Sequence, residues 1–212
     1  MPATIEPDDS DVLLVVDLQP DFMPGGALAV AEGDTVVPLA NALMQKFAHV
    51  VLTQDWHPPG HASFASTHGA APFATKSLPY GDQTLWPDHC VQGSAGAALH
   101  PELDTDTPFL ILRKGMRGHV DSYSAFVEAD GKTTTGLAAL LRARGVERVF
   151  CCGLATDFCV AFSALDARAA GFATYVVEDA CRAIDADGSL DAAWARMNAA
   201  EVWRIQSREI LG

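Results

Sequence analysis

Apolar residues along this chain fall into short continuous runs separated by stretches of helical period. Six runs rich in Val, Leu, Ile and Phe occupy residues 12–16, 47–53, 109–112, 148–152, 173–177 and 202–205. Continuous rather than alternating apolarity is expected of strands covered on both faces. Helical patterns lie between them. Asp34 offers an N-cap for residues 35–48, with Pro38 near enough to the start to be tolerated. Thr135 offers a cap for residues 136–144, with Gly145 as the stop, and Thr156 one for residues 157–170, with Gly171 as the stop. Ser189 offers a cap for a last helix through residue 198. Strands alternating with helices predict right-handed crossovers and a three-layer α/β/α, six-stranded, mostly parallel sheet. Without an internal repeat or linker, residues 1–212 read as one domain.

Two stretches, residues 55–108 and 115–134, fit neither period and follow directly on strands. Irregular segments of this length in a compact domain usually build site walls. In open α/β sheets ligands bind beyond the carboxyl ends of strands. Three strands here run into reactive side chains: the first into Asp17, the third into Lys114, and the fourth through Gly153, Leu154 and Ala155 towards Cys159. Cys159 falls in the first turn of the helix after Thr156, where free N–H groups lower a thiol pKa and can receive an oxyanion. A cysteine nucleophile, a carboxylate that takes and returns its proton, and a lysine that orders both by charge form a working hydrolytic set. No serine elbow is present.

A second set follows the second strand. Asp55 and His57, two residues apart, project to one side of an extended chain as a carboxylate–imidazole clip. His89, in the following long segment, completes a triad with positions open to water or substrate, the form of a catalytic metal site. His61, His68, His100 and His119 are read as non-ligands, and Cys90 as a packing residue.

Composition narrows the field. With 14 Lys and Arg against 27 Asp and Glu, the net charge of −13 repels phosphate backbones and argues against nucleic-acid or anionic-membrane partners. Five cysteines, an odd number with no CxxC pair, together with the lack of a signal-peptide pattern, read as reduced thiols in a cytoplasm. A homo-oligomer is left open.

Five ordered segments, VVDLQPDFMPGGALAV (15–30), TQDWHPPGHASFAS (53–66), TLWPDHCVQGSAGAALHPEL (84–103), RKGMRGHVDSYSAF (113–126) and CGLATDFCV (152–160), resemble the nicotinamidase branch of the isochorismatase-like cysteine hydrolases nearly end to end. The resemblance implies hydrolysis of nicotinamide to nicotinate and ammonia in NAD salvage, with pyrazinamide as a second substrate. It implies Cys159 as nucleophile, Asp17 as general base and acid, and Lys114 as the ordering charge. A cis peptide at Leu154–Ala155 would give an oxyanion hole from the N–H groups of Ala155 and Cys159. One divalent metal, Zn2+ first with Mn2+ or Fe2+ as alternatives, would sit on Asp55, His57 and His89, with Ser63 contributing through a water. Phe22, Leu28, Trp86, Tyr123 and Leu154 would bind the substrate ring. The sequence departs from the family pattern at Pro20, where many relatives carry Asn, and in lacking an extra His just after the Asp-x-His pair.

Overall fold

A computed structural model describes residues 4–212. All six expected strands form one parallel sheet in the order β5-β2-β1-β6-β7-β8. They are β1 (Asp11–Val16), β2 (His49–Asp55), β5 (Leu110–Lys114), β6 (Arg148–Leu154), β7 (Ala173–Arg182) and β8 (Trp203–Ile205). The central strand β1 is buried at every position, as its unbroken apolar run requires. The chain steps from β1 to β2 in one direction and from β6 to β7 in the other. Right-handed crossovers therefore put α1 (Val36–Met44) on one face and α2 (Leu137–Ala143), α3 (Ala161–Ala169) and α4 (Ser189–Ala199) on the opposite face. The short α5 (Arg208–Leu211) packs beside α1, and α4 beside α3. One continuous apolar cluster joins the sheet to both layers. Among the described residues, no helix is long and apolar enough to cross a membrane.

Helix starts differ from expectation. A 3-10 turn over Gly33–Thr35 precedes α1, so Asp34 lies inside that turn instead of capping the helix. Gly136 stands at the N-cap of α2, yet Thr135 Oγ1 still accepts the Leu137 N–H, at 3.2 Å. Gly188, in the left-handed conformation, starts α4, and the Ser189 hydroxyl donates instead to Asp157. Thr156 opens a π-helical turn, Thr156–Val160, that widens the chain before α3 begins. Within the long segment 55–108, an antiparallel hairpin of β3 (Thr75–Leu78) and β4 (Gly81–Thr84) interrupts the irregular backbone.

Gly153 fixes how closely β6 approaches β1. It pairs with Val16 at φ 117°, and a Cβ there would fall 2.1 Å from the Val16 carbonyl oxygen. Only glycine permits that contact. The pairing of β6 with β7 also shifts register between Cys151 and Gly153. The chain then passes through a cis Leu154–Ala155 peptide into the π-helical turn.

Candidate active site

The strand order reverses at β1, whose neighbours β2 and β6 belong to opposite windings of the sheet. The carboxyl ends beside it are where a ligand crevice opens in such sheets. Asp17 leaves β1 with φ 49° and is fully buried. Its N–H donates to Thr53 Oγ1 at 3.1 Å, and the Thr53 hydroxyl donates back to Asp17 Oδ1 at 2.6 Å. The other oxygen, Oδ2, lies 2.8 Å from Lys114 Nζ as a buried ion pair.

Lys114, the last residue of β5, is the hub. Its ammonium also lies 2.5 Å from Asp55 Oδ1 and 3.3 Å from Cys159 Sγ, and donates to the Ser122 carbonyl at 3.1 Å. Cys159 Sγ and one carboxylate oxygen each of Asp17 and Asp55 lie within 4.8 Å of one another. Burial alone would push the Lys114 ammonium pKa down, but the Asp17 and Asp55 carboxylates outweigh it and hold it well above the usual lysine value. Burial raises Asp17 above the ordinary carboxylate range; Lys114 opposes the rise and Asp55 adds to it. Burial likewise drives the Cys159 thiol well up, against the pull of Lys114, with both carboxylates adding to the rise. Burial thus opposes the expected effect of the helix start on this thiol, and the two nearby anions add to that opposition.

Asp55, at the end of β2, turns its other oxygen to the imidazoles. Asp55 Oδ2 is 3.5 Å from His57 Nε2 and 4.0 Å from His89 Nε2. His57 Nδ1 bonds the Gly115 carbonyl at 2.9 Å and His89 Nδ1 the Pro87 carbonyl at 2.8 Å. A carbonyl only accepts, so Nδ1 of each ring carries a proton and both Nε2 atoms face the carboxylate; burial lowers the His57 pKa, but the Asp55 carboxylate outweighs it and holds it above the usual imidazole value. Two imidazole nitrogens and a carboxylate oxygen, all buried and within 4.8 Å of one another, are a donor set suited to a divalent transition metal. Burial and the neighbouring His57 lower the His89 pKa to about 4, which leaves its imidazole neutral, as a ligand must be. Gln19 braces this corner: its side chain accepts the Asp55 N–H at 2.7 Å and donates to the Asp55 carbonyl at 2.9 Å.

His61 lies beside the cluster: one of its ring nitrogens, one of His57 and a carboxylate oxygen of Asp121 lie within 4.8 Å of one another as a second buried donor group. His61 has Nδ1 on Ser63 Oγ at 2.7 Å and Nε2 near the Val120 carbonyl at 3.2 Å, so both ring nitrogens are engaged. Ser63 is thus tied to His61. His68 bonds the Ala62 carbonyl, His100 accepts the Glu102 N–H, and His119 is exposed. Cys90 is buried, and its N–H donates to Asp21 Oδ2 at 2.6 Å.

Between thiol and imidazoles lies a narrow pocket lined by Phe22, Leu28, Trp86 and Tyr123, together with Ala155 and Cys159. Leu154, expected on this wall, is fully buried and does not line the cavity; its Cδ1 points towards Gly33. Phe158, Ile184 and Asp121 line it without having been singled out from the sequence. Phe158 stands edge-on to Trp86 at 4.9 Å. Its place directly before Cys159 was the available signal, hidden because an ordinary helix would rotate neighbours about 100° apart.

The chain belongs to the isochorismatase family: the Isochorismatase domain profile matches residues 11–209. Within that family it is 56% identical over 200 residues to the nicotinamidase of Acinetobacter baylyi, covering 94% of each chain. The structure of a nicotinamidase/pyrazinamidase from Acinetobacter baumanii superposes with a TM-score of 0.94 at 54% identity, covering 95% of this chain and 98% of that one. PnC1 from L. infantum, solved in complex with nicotinate, gives 0.86 at 42% identity and 98% of each chain. A pyrazinamidase from Pyrococcus horikoshii in complex with zinc gives 0.75 at 37% identity, covering 93% and 99%.

Proposed function

We propose that this protein is a nicotinamidase, cleaving nicotinamide to nicotinate and ammonia through a thioester on Cys159, with pyrazinamide as a second substrate. The observation that carries the reading is the Lys114 ammonium, 3.3 Å from Cys159 Sγ and 2.8 Å from the proton-accepting oxygen of Asp17, at the mouth of an aromatic-walled cavity.

Asp17 Oδ2 accepts the thiol proton, and the sulfur attacks the carboxamide carbon. Because burial raises the thiol pKa, a neighbouring base assists its ionisation. The N–H groups of Ala155 and Cys159 receive the oxyanion, each worth about 3 kcal/mol in acyl-transfer enzymes. Asp17 returns the proton to the nitrogen, the C–N bond breaks and ammonia leaves. A water then gives one proton to Asp17 as its oxygen attacks the thioester carbon; the C–S bond breaks, Asp17 passes that proton to the sulfur to restore the thiol, and the acid leaves as nicotinate, its remaining proton taken up by ammonia or solvent. Lys114 keeps Asp17 and the sulfur in register throughout. Phe22, Leu28, Trp86 and Tyr123 hold the ring by edge and face contacts.

Asp55, His57 and His89 would hold one divalent metal, zinc first, as the zinc-bound relative supports; Ser63 would reach it only through water. When bound, the metal supplies a Lewis-acid point of attachment for the ring nitrogen of the substrate. Residues 1–212 act as one hydrolase domain, supported by the continuous core. A cytoplasmic setting is supported by the five free, buried thiols.

The test is ammonia release from nicotinamide. Wild-type protein releases stoichiometric ammonia and nicotinate, whereas Cys159→Ala loses at least about a thousandfold in turnover. Full turnover by Cys159→Ala would remove the assignment.

A further inference from the structure

Gln83 is the one residue of the β3–β4 hairpin whose side chain is driven fully inside; its neighbour Asp82 is exposed and Gln83 itself is 2% exposed. A buried amide is costly unless its hydrogen bonds are made. Here Nε2 lies 2.7 Å from the Thr84 carbonyl, 2.8 Å from Asp121 Oδ2 and 3.0 Å from the Tyr123 hydroxyl oxygen, while Oε1 accepts the Tyr80 hydroxyl at 3.1 Å. The amide cannot be reversed, since its oxygen would then face a carbonyl and a carboxylate, neither of which has a proton to offer.

The Tyr123 oxygen also receives Trp86 Nε1–H, at 2.8 Å. Gln83 shares its two protons among three acceptors, so the Trp86 N–H and one shared Gln83 N–H reach this oxygen and hold the phenol against Trp86, with the two rings edge-on at 6.3 Å and 87°. Gln83 thereby stands between a buried carboxylate and a phenol. Without its N–H groups, Asp121 Oδ2 would lose a donor inside the protein, and the hydroxyl protons of Tyr123 and Tyr80, both bonded to the same amide, are the candidates to replace it. The Tyr123 phenol would swing towards Asp121 and away from Trp86, opening the aromatic wall.

We propose that Gln83 is a positioning residue for substrate: it stands between Asp121 and Tyr123 and so sets the width of the aromatic cage without touching the reacting atoms. The inference rests on the nicotinamidase reading and names a determinant of how the ring is held. Gln83→Leu keeps the volume and removes both donors. It raises KM for nicotinamide about tenfold while kcat stays within about threefold, as loss of uniform binding requires. Tyr123→Phe removes the hydroxyl that would move, so in that background the Gln83→Leu step in KM shrinks to less than about threefold. An unchanged KM in Gln83→Leu, additive effects in the double variant, an equal fall in kcat, or loss of bound metal would each overturn the proposal. If Gln83→Leu does not fold, Gln83→Asn, one methylene too short to reach Tyr123, is read by the same criteria. Should wild-type protein release no ammonia from nicotinamide, the functional reading fails separately. The inference is then decided by the crystal structure of the folded Gln83 variant: a Tyr123 hydroxyl moved off Trp86 Nε1 supports it, and an unmoved ring overturns it.

Discussion

Asp17 is both the most enclosed carboxylate of the site and the one proposed to move protons. Burial raises its pKa above the ordinary 3.8, against the opposing charge of Lys114. A group raised in this way is ionised, and able to accept the thiol proton, only above that elevated pKa. Activity should therefore fall as pH drops through it. The acid limb of kcat/KM for nicotinamide is expected above pH 3.8, and Asp17→Asn should cost at least about a hundredfold in kcat at neutral pH. An acid limb at or below 3.8, or an active Asn variant, would exclude Asp17 as the base. Asp17, Lys114 and Cys159 were legible in the sequence because each follows a recognisable parallel strand. Leu154 was misread: the residue preceding the cis bond turns into the core, and no periodicity announces that turn. Asp121 and Ile184 were illegible because irregular backbone alone brings them to the cavity.

Elements carry these residues through a few close approaches. Gly115 follows Lys114 at φ 65°, and a Cβ there would lie 2.4 Å from His57 Cε1. Its carbonyl also fixes the His57 tautomer. Gly115→Ala is expected to displace the imidazole and weaken metal affinity about 10- to 100-fold, the usual cost of disturbing the partner of a ligating histidine. Gly118→Ala, whose Cβ would meet nothing closer than Pro58 at 3.6 Å, serves as the control. Competition against a chromophoric chelator measures both, and equal affinities would refute the account. The four inner strands could be read because buried parallel strands are continuously apolar, and the partly exposed edge strands β5 and β8 from the short apolar runs that open them. The β3–β4 hairpin could not, since Thr75–Leu78 and Gly81–Thr84 are short and largely exposed, with no apolar alternation. The helix starts shifted for a related reason: glycines in left-handed conformations and a π-helical turn took the places expected of Ser, Thr and Asp caps.

At the scale of the whole molecule, the sheet order gathers β1, β2, β5 and the β6 exit on one rim, which is why residues from 17 to 159 meet in one crevice. Binding a metal across β2 and the segment containing His89 ties two distant parts of the chain together. A ligand held only by the folded state stabilises it by mass action. Dialysis against a strong chelator should therefore lower both Tm and nicotinamide turnover, and added Zn2+ should restore the two together. A treated, metal-free protein with unaltered Tm and turnover would show that the Asp55, His57 and His89 cluster carries no ion that matters.

One ammonium touches both Asp17, the proposed base, and Asp55, a proposed ligand of the metal that would hold the ring. The two carboxylates thus share a single counterion. Charge altered at either carboxylate is felt by the other through Lys114, so lesions to grip and to cleavage should not combine as independent events.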